Sequence, residues 1–181
     1  MQILHNIFNM YAMTIILIGT VCSTFLHDVN RFLGQFVMFY VVYDGIIQYN
    51  YPKLQPSTFR LYTVLLHHLC VFNICAYMFY DPYFLSYCPW FTILDLNTYI
   101  LTVKRIATDK QLKYYLNNLF LASWVPMRIV YSPYLSYMTI MTVSERIYSP
   151  MFALIGISSI CVLCCLNYVW TYEALTIKQK S

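Results

Sequence analysis

Charge is what this chain has least of. Only 10% of its 181 residues are Asp, Glu, Lys or Arg, while 60% are hydrophobic, against about 25% charged in an ordinary soluble domain. A single water-soluble core of this length has no room for that much apolar surface. The scarcity excludes a nucleic-acid module as well, because no basic residues are interleaved with a recognition fold. Glycine is almost absent, with four copies, so small-residue helix packing is weak and phosphate-cradling glycine loops are missing. No serine nucleophile elbow and no H-E-x-x-H zinc motif occurs. The seven cysteines form no framework. Six of them fall in apolar stretches, where a thiol acts as a small hydrophobe, and Cys161-Val-Leu-Cys164 lacks zinc partners or a redox fold. Residues 1–6 carry no positive n-region of a cleavable signal, and the first apolar stretch is long enough to span.

What is present is a series of apolar stretches of bilayer length, about 20 residues each. Six are expected: 7–26, 32–49, 61–80, 83–103, 115–140 and 150–171, with Pro126 and Pro133 kinking the fifth. The fold class is all-α, a polytopic membrane helix bundle of about six transmembrane helices in a single membrane domain, 1–181. The side shared by the termini, loop 2–3 and loop 4–5 holds Lys53, Arg60, Lys104, Arg105, Lys110, Lys113, Lys178 and Lys180, and the other only Arg31 and Arg146. That asymmetry predicts both termini in the cytoplasm. The net charge of +4 then reflects orientation and contact with anionic lipid. Tyrosines such as Tyr49, Tyr51, Tyr80, Tyr83, Tyr114, Tyr115 and Tyr148 near span ends read as an aromatic belt.

Ionisable groups inside such stretches mark functional sites. His67 and His68 lie in the third, Asp44 in the second and Asp95 in the fourth. At 1.5 Å rise per residue, Asp44 lies about 8 Å, His67 about 9 Å and Asp95 about 12 Å from the same face. Acid, imidazole and acid on three helices at one level suggest a shared cavity open to the cytoplasm. His67 and His68 project about 100° apart, so one can face the cavity while the other braces a helix. An aspartate on one imidazole nitrogen leaves the other free as base or nucleophile, which suits acyl transfer from a thioester; histidine–aspartate pairs that simply join helices are the alternative. Arg128, about 20 Å into the fifth span, needs an acidic partner such as Asp95, water, or a lipid phosphate or carboxylate. The catalytic candidates are thus His67, His68, Asp44 and Asp95, with Arg128 and Asn97 as substrate-binding candidates. Four histidines in the whole chain are too few for a membrane di-iron centre, so no metal and no cofactor is expected.

The order of these landmarks resembles the TLC-domain family. Phe39-Tyr-Val-Val-Tyr-Asp44 looks like the family's Y-D span, Tyr51-Pro-Lys53 and Leu66-His-His68 like its Y-P and L-H-H signatures, Ile93-Leu-Asp-Leu-Asn-Thr98 like its acidic stretch, with Asn97 in place of serine, and Asn117-Asn-Leu-Phe120 to Arg128-Ile-Val130 like its N-x-x-x-F…R-I-V helix. The resemblance covers about 35–170. It implies a six- or seven-helix bundle of the endoplasmic reticulum or a related endomembrane, with a role in lipid metabolism, binding or homeostasis. The family includes ceramide synthases, in which paired histidines serve acyl transfer from acyl-CoA, and translocon-associated proteins. The ceramide-synthase motif continues past its histidines with an H-D and D pattern, whereas here Leu-Cys-Val-Phe follows His68. The chain looks closer to the small TLC-domain proteins. Two functions follow: a lipid acyltransferase using acyl-CoA, with Lys53, Lys104 or Arg105 meeting the coenzyme A phosphates; or a non-catalytic receptor, trafficking or membrane-organising protein. Membrane lipids are the expected partners, acyl-CoA a candidate one, and nucleic acid is not among them. A channel or transporter would call for glycine-broken helices or repeated halves, which are not seen.

Overall fold

The computed structural model describes residues 1–26, 28–145 and 149–177. His27, Arg146, Tyr148, Lys178 and Lys180 lie outside the described residues. The described chain is all helix and turn: α1 (Gln2–Ser23), α2 (Val29–Asn50), α3 (Thr58–Tyr80), α4 (Cys88–Thr92), α5 (Asp95–Ile106), α6 (Lys110–Trp124), α7 (Ser132–Glu145) and α8 (Pro150–Ile177). Short 3-10 turns precede α3 at Pro52–Leu54 and α4 at Pro82–Tyr87. A π-helical turn, Val125–Tyr131, joins α6 to α7.

Local chemistry sets the boundaries. Ser57 caps α3 by accepting from the Arg60 amide at 3.1 Å, and Asp109 caps α6 by accepting from the Leu112 amide at 2.7 Å. Both satisfy amides that a helix start leaves unpaired. Pro82 and Pro89 each stand at the first or second position of a helical segment, where the missing N–H costs nothing. The fourth expected span, 83–103, is consequently not one rod. It is a 3-10 turn, the five-residue α4, a break at Ile93–Leu94 and then α5. The fifth is helical without interruption from 110 to 145, and Pro126 is absorbed by the π turn instead of a sharp kink. The first span begins five residues earlier than expected, at Gln2.

Among the described residues, three helices are long and apolar enough to cross a membrane by length and composition: Gln2–Ser23, Thr58–Tyr80 and Pro150–Glu173, with mean hydropathies of 1.4, 1.5 and 2.1. α2 is as long as α1, at 22 residues, but Arg31, Asp44 and Gln48 dilute it. The outer surface of the bundle is rich in exposed Ile, Leu, Phe and Tyr, as lipid requires and water does not.

The helices close into a ring. α1 packs on α2, α2 on α3, α3 on α8, and α8 on α7 and the π turn; α6 packs on α5, and α5 returns to α1. Close approaches tighten it. A Cβ on Gly19 would stand 3.0 Å from Leu33, and one on Gly34 3.2 Å from Phe79, so both glycines let neighbouring helices touch. A core of Met13, Ile16, Leu33, Val37, Ile74 and Phe84 fills one end of the ring. A second cluster, Ile100, Phe120, Trp124 and Trp170, joins α5, α6 and α8.

Candidate functional site

The ring encloses a cavity of about 180 Å³. On α3 its wall is Arg60, Val64, His67, His68, Val71, Ile74, Cys75 and Met78, a continuous stripe at helical spacing. Arg60 to Met78 is about 27 Å along the axis. The lining changes character along that length. Arg60, Gln48, Gln55 and Arg105 stand at one end, the histidines and aspartates follow, and Val37, Ile74, Met78 and Ile160 stand at the other. The same gradient repeats on α1, from His5 through Asn9 to Met13, and on α8, from Trp170 through Asn167 to Ile160. Helix directions alternate around the ring, so the polar end is built from the start of α1, the end of α2, the start of α3 and the ends of α5 and α8. Lys53, Lys104, Lys110 and Lys113 sit in the turns and helix ends of that same end.

Asp44 is the centre of the polar part. It is 1% exposed, and three side chains converge on it. His5 Nε2 donates to Oδ1 at 2.6 Å, while Oδ2 accepts from Gln48 Nε2 at 2.5 Å and faces His68 Nε2 at 3.1 Å. Gln55 Nε2 in turn donates to Gln48 Oε1 at 2.6 Å. A carboxylate only accepts, so each imidazole presents Nε2–H to it. In its neutral form His68 then keeps a lone pair on Nδ1, and that buried atom has no partner among the described residues. Asp44 thereby ties α1, α2 and α3 together and fixes the tautomer of His68, one of the two histidines that line the cavity.

His67 lines the same cavity but is held differently. Its ring lies 5.3 Å from that of Trp170 and 5.8 Å from that of His68. Trp170 is also the meeting point of the polar end: its Nε1 donates to Thr63 Oγ1 at 3.2 Å, and the Arg60 guanidinium lies 4.4 Å over its ring. Arg60 pairs with Glu173 at 3.1 Å, linking the start of α3 to the end of α8.

Across the cavity, the π turn aims Arg128 inward; single π turns within α-helices often occur at functional sites. Arg128 is 5% exposed. Its Nη2 donates to the Leu94 carbonyl at 2.9 Å, beside the α4–α5 break, and more weakly to Thr98 Oγ1 at 3.5 Å; Nη1 donates to Asn167 Oδ1 at 3.4 Å. Its Nε is buried without a partner among the described residues. Asp95 lines the cavity next to Leu94, yet among the described residues Arg128 forms no carboxylate contact within 4.0 Å. The close Arg128–Asp95 pair that the sequence suggested is therefore not formed, because the break at Ile93–Leu94 offers a backbone carbonyl first. Asn97 is fully buried; its Nδ2 donates to Ser123 Oγ at 2.7 Å, and its Oδ1 has no partner among the described residues.

The structure thus brings His67, His68, Asp44, Asp95, Asn97 and Arg128 to the wall of one cavity. Of the three basic candidates for coenzyme A, Arg105 lines it, Lys104 is drawn to Asn117 Oδ1 at 2.7 Å, and Lys53 does not line it. Sequence reasoning missed His5, Gln48 and Trp170. Gln48 was detectable, since it stands four residues after Asp44 on one helix face. His5 was not, because it lies before the expected start of the first span.

The family model described as the TLC domain, of the TRAM/LAG1/CLN8 group, matches residues 3–176. It therefore takes in α1 and His5, which the motif resemblance did not reach. No curated protein and no solved structure matches.

Proposed function

The chain belongs to the TLC-domain family, and from that premise we propose that it is a lipid-handling membrane protein that transfers an acyl group within this cavity. The observation that carries the reading is the amphiphilic gradient of the lining, with an oriented histidine where it turns from polar to apolar. The apolar part suits the hydrocarbon of an acyl group, whose thioester carbonyl then lies beside His68. Arg60 and Arg105 at the polar end suit the phosphates of an acyl-CoA donor.

The reaction balances without a cofactor. His68 Nδ1 takes the proton from the hydroxyl or amine of an acceptor lipid, whose heteroatom bonds to the thioester carbon. The carbon–sulfur bond of the tetrahedral intermediate then breaks, and the imidazolium returns its proton to the departing thiolate. Asp44 stabilises the imidazolium between these steps; Arg128, with its unpaired Nε, offers a donor for the oxyanion. His67 and Asp95 shape the wall around the reacting atoms, and Asn97 presents an unpaired amide oxygen. By the positive-inside rule the polar end faces the cytoplasm, and by family the membrane is that of the endoplasmic reticulum or a related compartment.

A second reading has its own support. Asp44 accepts from three side chains on three helix segments, which is also how a polar cluster braces a membrane bundle. In that case the cavity binds a lipid without reacting it, as a receptor, trafficking or membrane-organising protein would.

The test is acyl transfer in membranes expressing the chain, with labelled acyl-CoA and mixed lipid acceptors, for wild type and for His67→Ala and His68→Ala at equal abundance and melting temperature. The reading predicts a labelled lipid whose formation falls about 10²–10⁴-fold in His68→Ala and far less in His67→Ala. A well-folded wild type that binds acyl-CoA and yields no product sinks the acyltransferase reading in favour of the second.

A further inference from the structure

The structure has a second concavity, on the outside of the bundle, and it meets the first at His68. A groove of about 360 Å³ runs between α2 and α3, walled by Val42, Ile46, Leu69 and Phe72, with Gly45 at its floor and Tyr49 at one end. Among the described residues, only Val41 and His68 line both the groove and the internal cavity. His68, whose imidazole Asp44 meets from inside, is thus also part of the wall that the groove reaches from outside.

Gly45 explains the opening. Gly19, Gly34 and Gly156 each stand where an added Cβ would touch a neighbour within 3.4 Å, whereas a Cβ on Gly45 meets nothing within 4 Å. No glycine has positive φ. Neither packing nor backbone geometry requires a glycine at 45. What its missing side chain leaves is open space on the outer face of α2, in the groove that His68 also lines.

The chemistry of the groove identifies its occupant. Val42, Ile46 and Leu69 are 44%, 57% and 56% exposed on a surface that faces hydrocarbon in the family's setting. The polar groups are His68 in the wall and Tyr49 and Asn50 at the mouth, where α2 ends. Tyrosine at a helix end marks headgroup level, and Gly45 lies four residues, about 6 Å, below it. We propose that this groove seats the acceptor lipid: a bilayer lipid whose chain lies along Phe72 and Leu69 and whose free hydroxyl or amine reaches His68 from the membrane side. This assignment rests on the acyl-transfer reading for the role of the bound lipid, but not for its binding.

The test is native mass spectrometry of the full chain taken from phosphatidylcholine vesicles doped with monooleoylglycerol or octadecylamine. Wild type is expected to retain one equivalent of a dopant against excess phosphatidylcholine. Gly45→Phe, which fills the floor, lowers that occupancy at least tenfold with the melting temperature and acyl-CoA binding unchanged, and Gly45→Ala lowers it far less. Ile46→Trp, which closes the groove from its exposed wall, repeats the loss by an independent substitution. Equal retention in wild type, Gly45→Phe and Ile46→Trp would overturn the groove, and retention of phosphatidylcholine as readily as the dopants would overturn its role as acceptor site. Absence of acyl transfer in a wild type that shows this selective, Gly45-dependent retention would instead remove the acyltransferase reading and leave the groove standing.

Discussion

Two buried charges face each other across the cavity, and they are treated in opposite ways. Asp44 is met by His5, His68 and Gln48 at 2.6, 3.1 and 2.5 Å. Arg128 is met by one good bond, to the Leu94 carbonyl, two long ones, and no carboxylate within 4.0 Å among the described residues. A saturated carboxylate cannot take up a ligand; what it does is hold helices and set an imidazole. An under-satisfied guanidinium in a low-dielectric wall has capacity left for a developing negative charge or an anionic group. The first site is scaffold that orients a reactive nitrogen, and the second is receptive.

That contrast can be broken or sharpened by substitution. The largest effect is expected for Asp44→Ala, which strands three donors at once. Breaking a buried pair from one side costs about 3–5 kcal/mol, to be read as a fall in melting temperature or chaotrope midpoint in detergent. Arg128→Met should behave in the opposite manner. Exchanging a poorly paired buried charge for an apolar side chain leaves stability level or raised, while acyl-ligand affinity falls roughly tenfold, about 1.4 kcal/mol; titration with an acyl-CoA analogue alongside thermal melts separates the two. Trp170→Phe keeps an aromatic beside His67 but removes the bond to Thr63, a loss of about 1 kcal/mol, measured by the same melts. Arg60→Gln is the smallest. Its ion pair with Glu173 is partly exposed, at 23% and 30%, so stability changes by less than about 1 kcal/mol; its effect should show in the affinity for coenzyme A phosphates at low salt.

Hydropathy and charge carried the helical class and the membrane setting, because both depend only on which residues occur in runs of a given length. Co-location was legible for the same reason: counting along each helix grouped Asp44, His67 and Asp95, and all three line one cavity. Azimuth was not. Nothing in residue counting says that Asp44 turns toward His5 and His68 while Asp95 stands by an Arg128 that bonds the Leu94 carbonyl. Both histidines line the cavity even though they project about 100° apart, where one facing the cavity and one bracing a helix was expected. The break at Ile93–Leu94 was hidden inside an apolar run with no glycine, and hydropathy is blind to it. The π turn had a local sign, Pro126, but proline alone does not distinguish a kink from a bulge. His5 was missed for a plainer reason: it lies at the edge of an apolar stretch, and edges are where span assignment is weakest.

The central claim is that one acyl chain lies along the cavity with its carbonyl at the histidines. Two photoreactive acyl-CoA probes test it directly, one with a diazirine at the far end of the chain and one with it beside the carbonyl, each crosslinked to the membrane-embedded protein and mapped by mass spectrometry. The account predicts that the chain-end probe labels Met13, Met78 or Ile160, and that the carbonyl probe labels the neighbourhood of His67, His68 or Trp170. Labelling in the reverse order, or confined to the outer surface of the bundle, would contradict it.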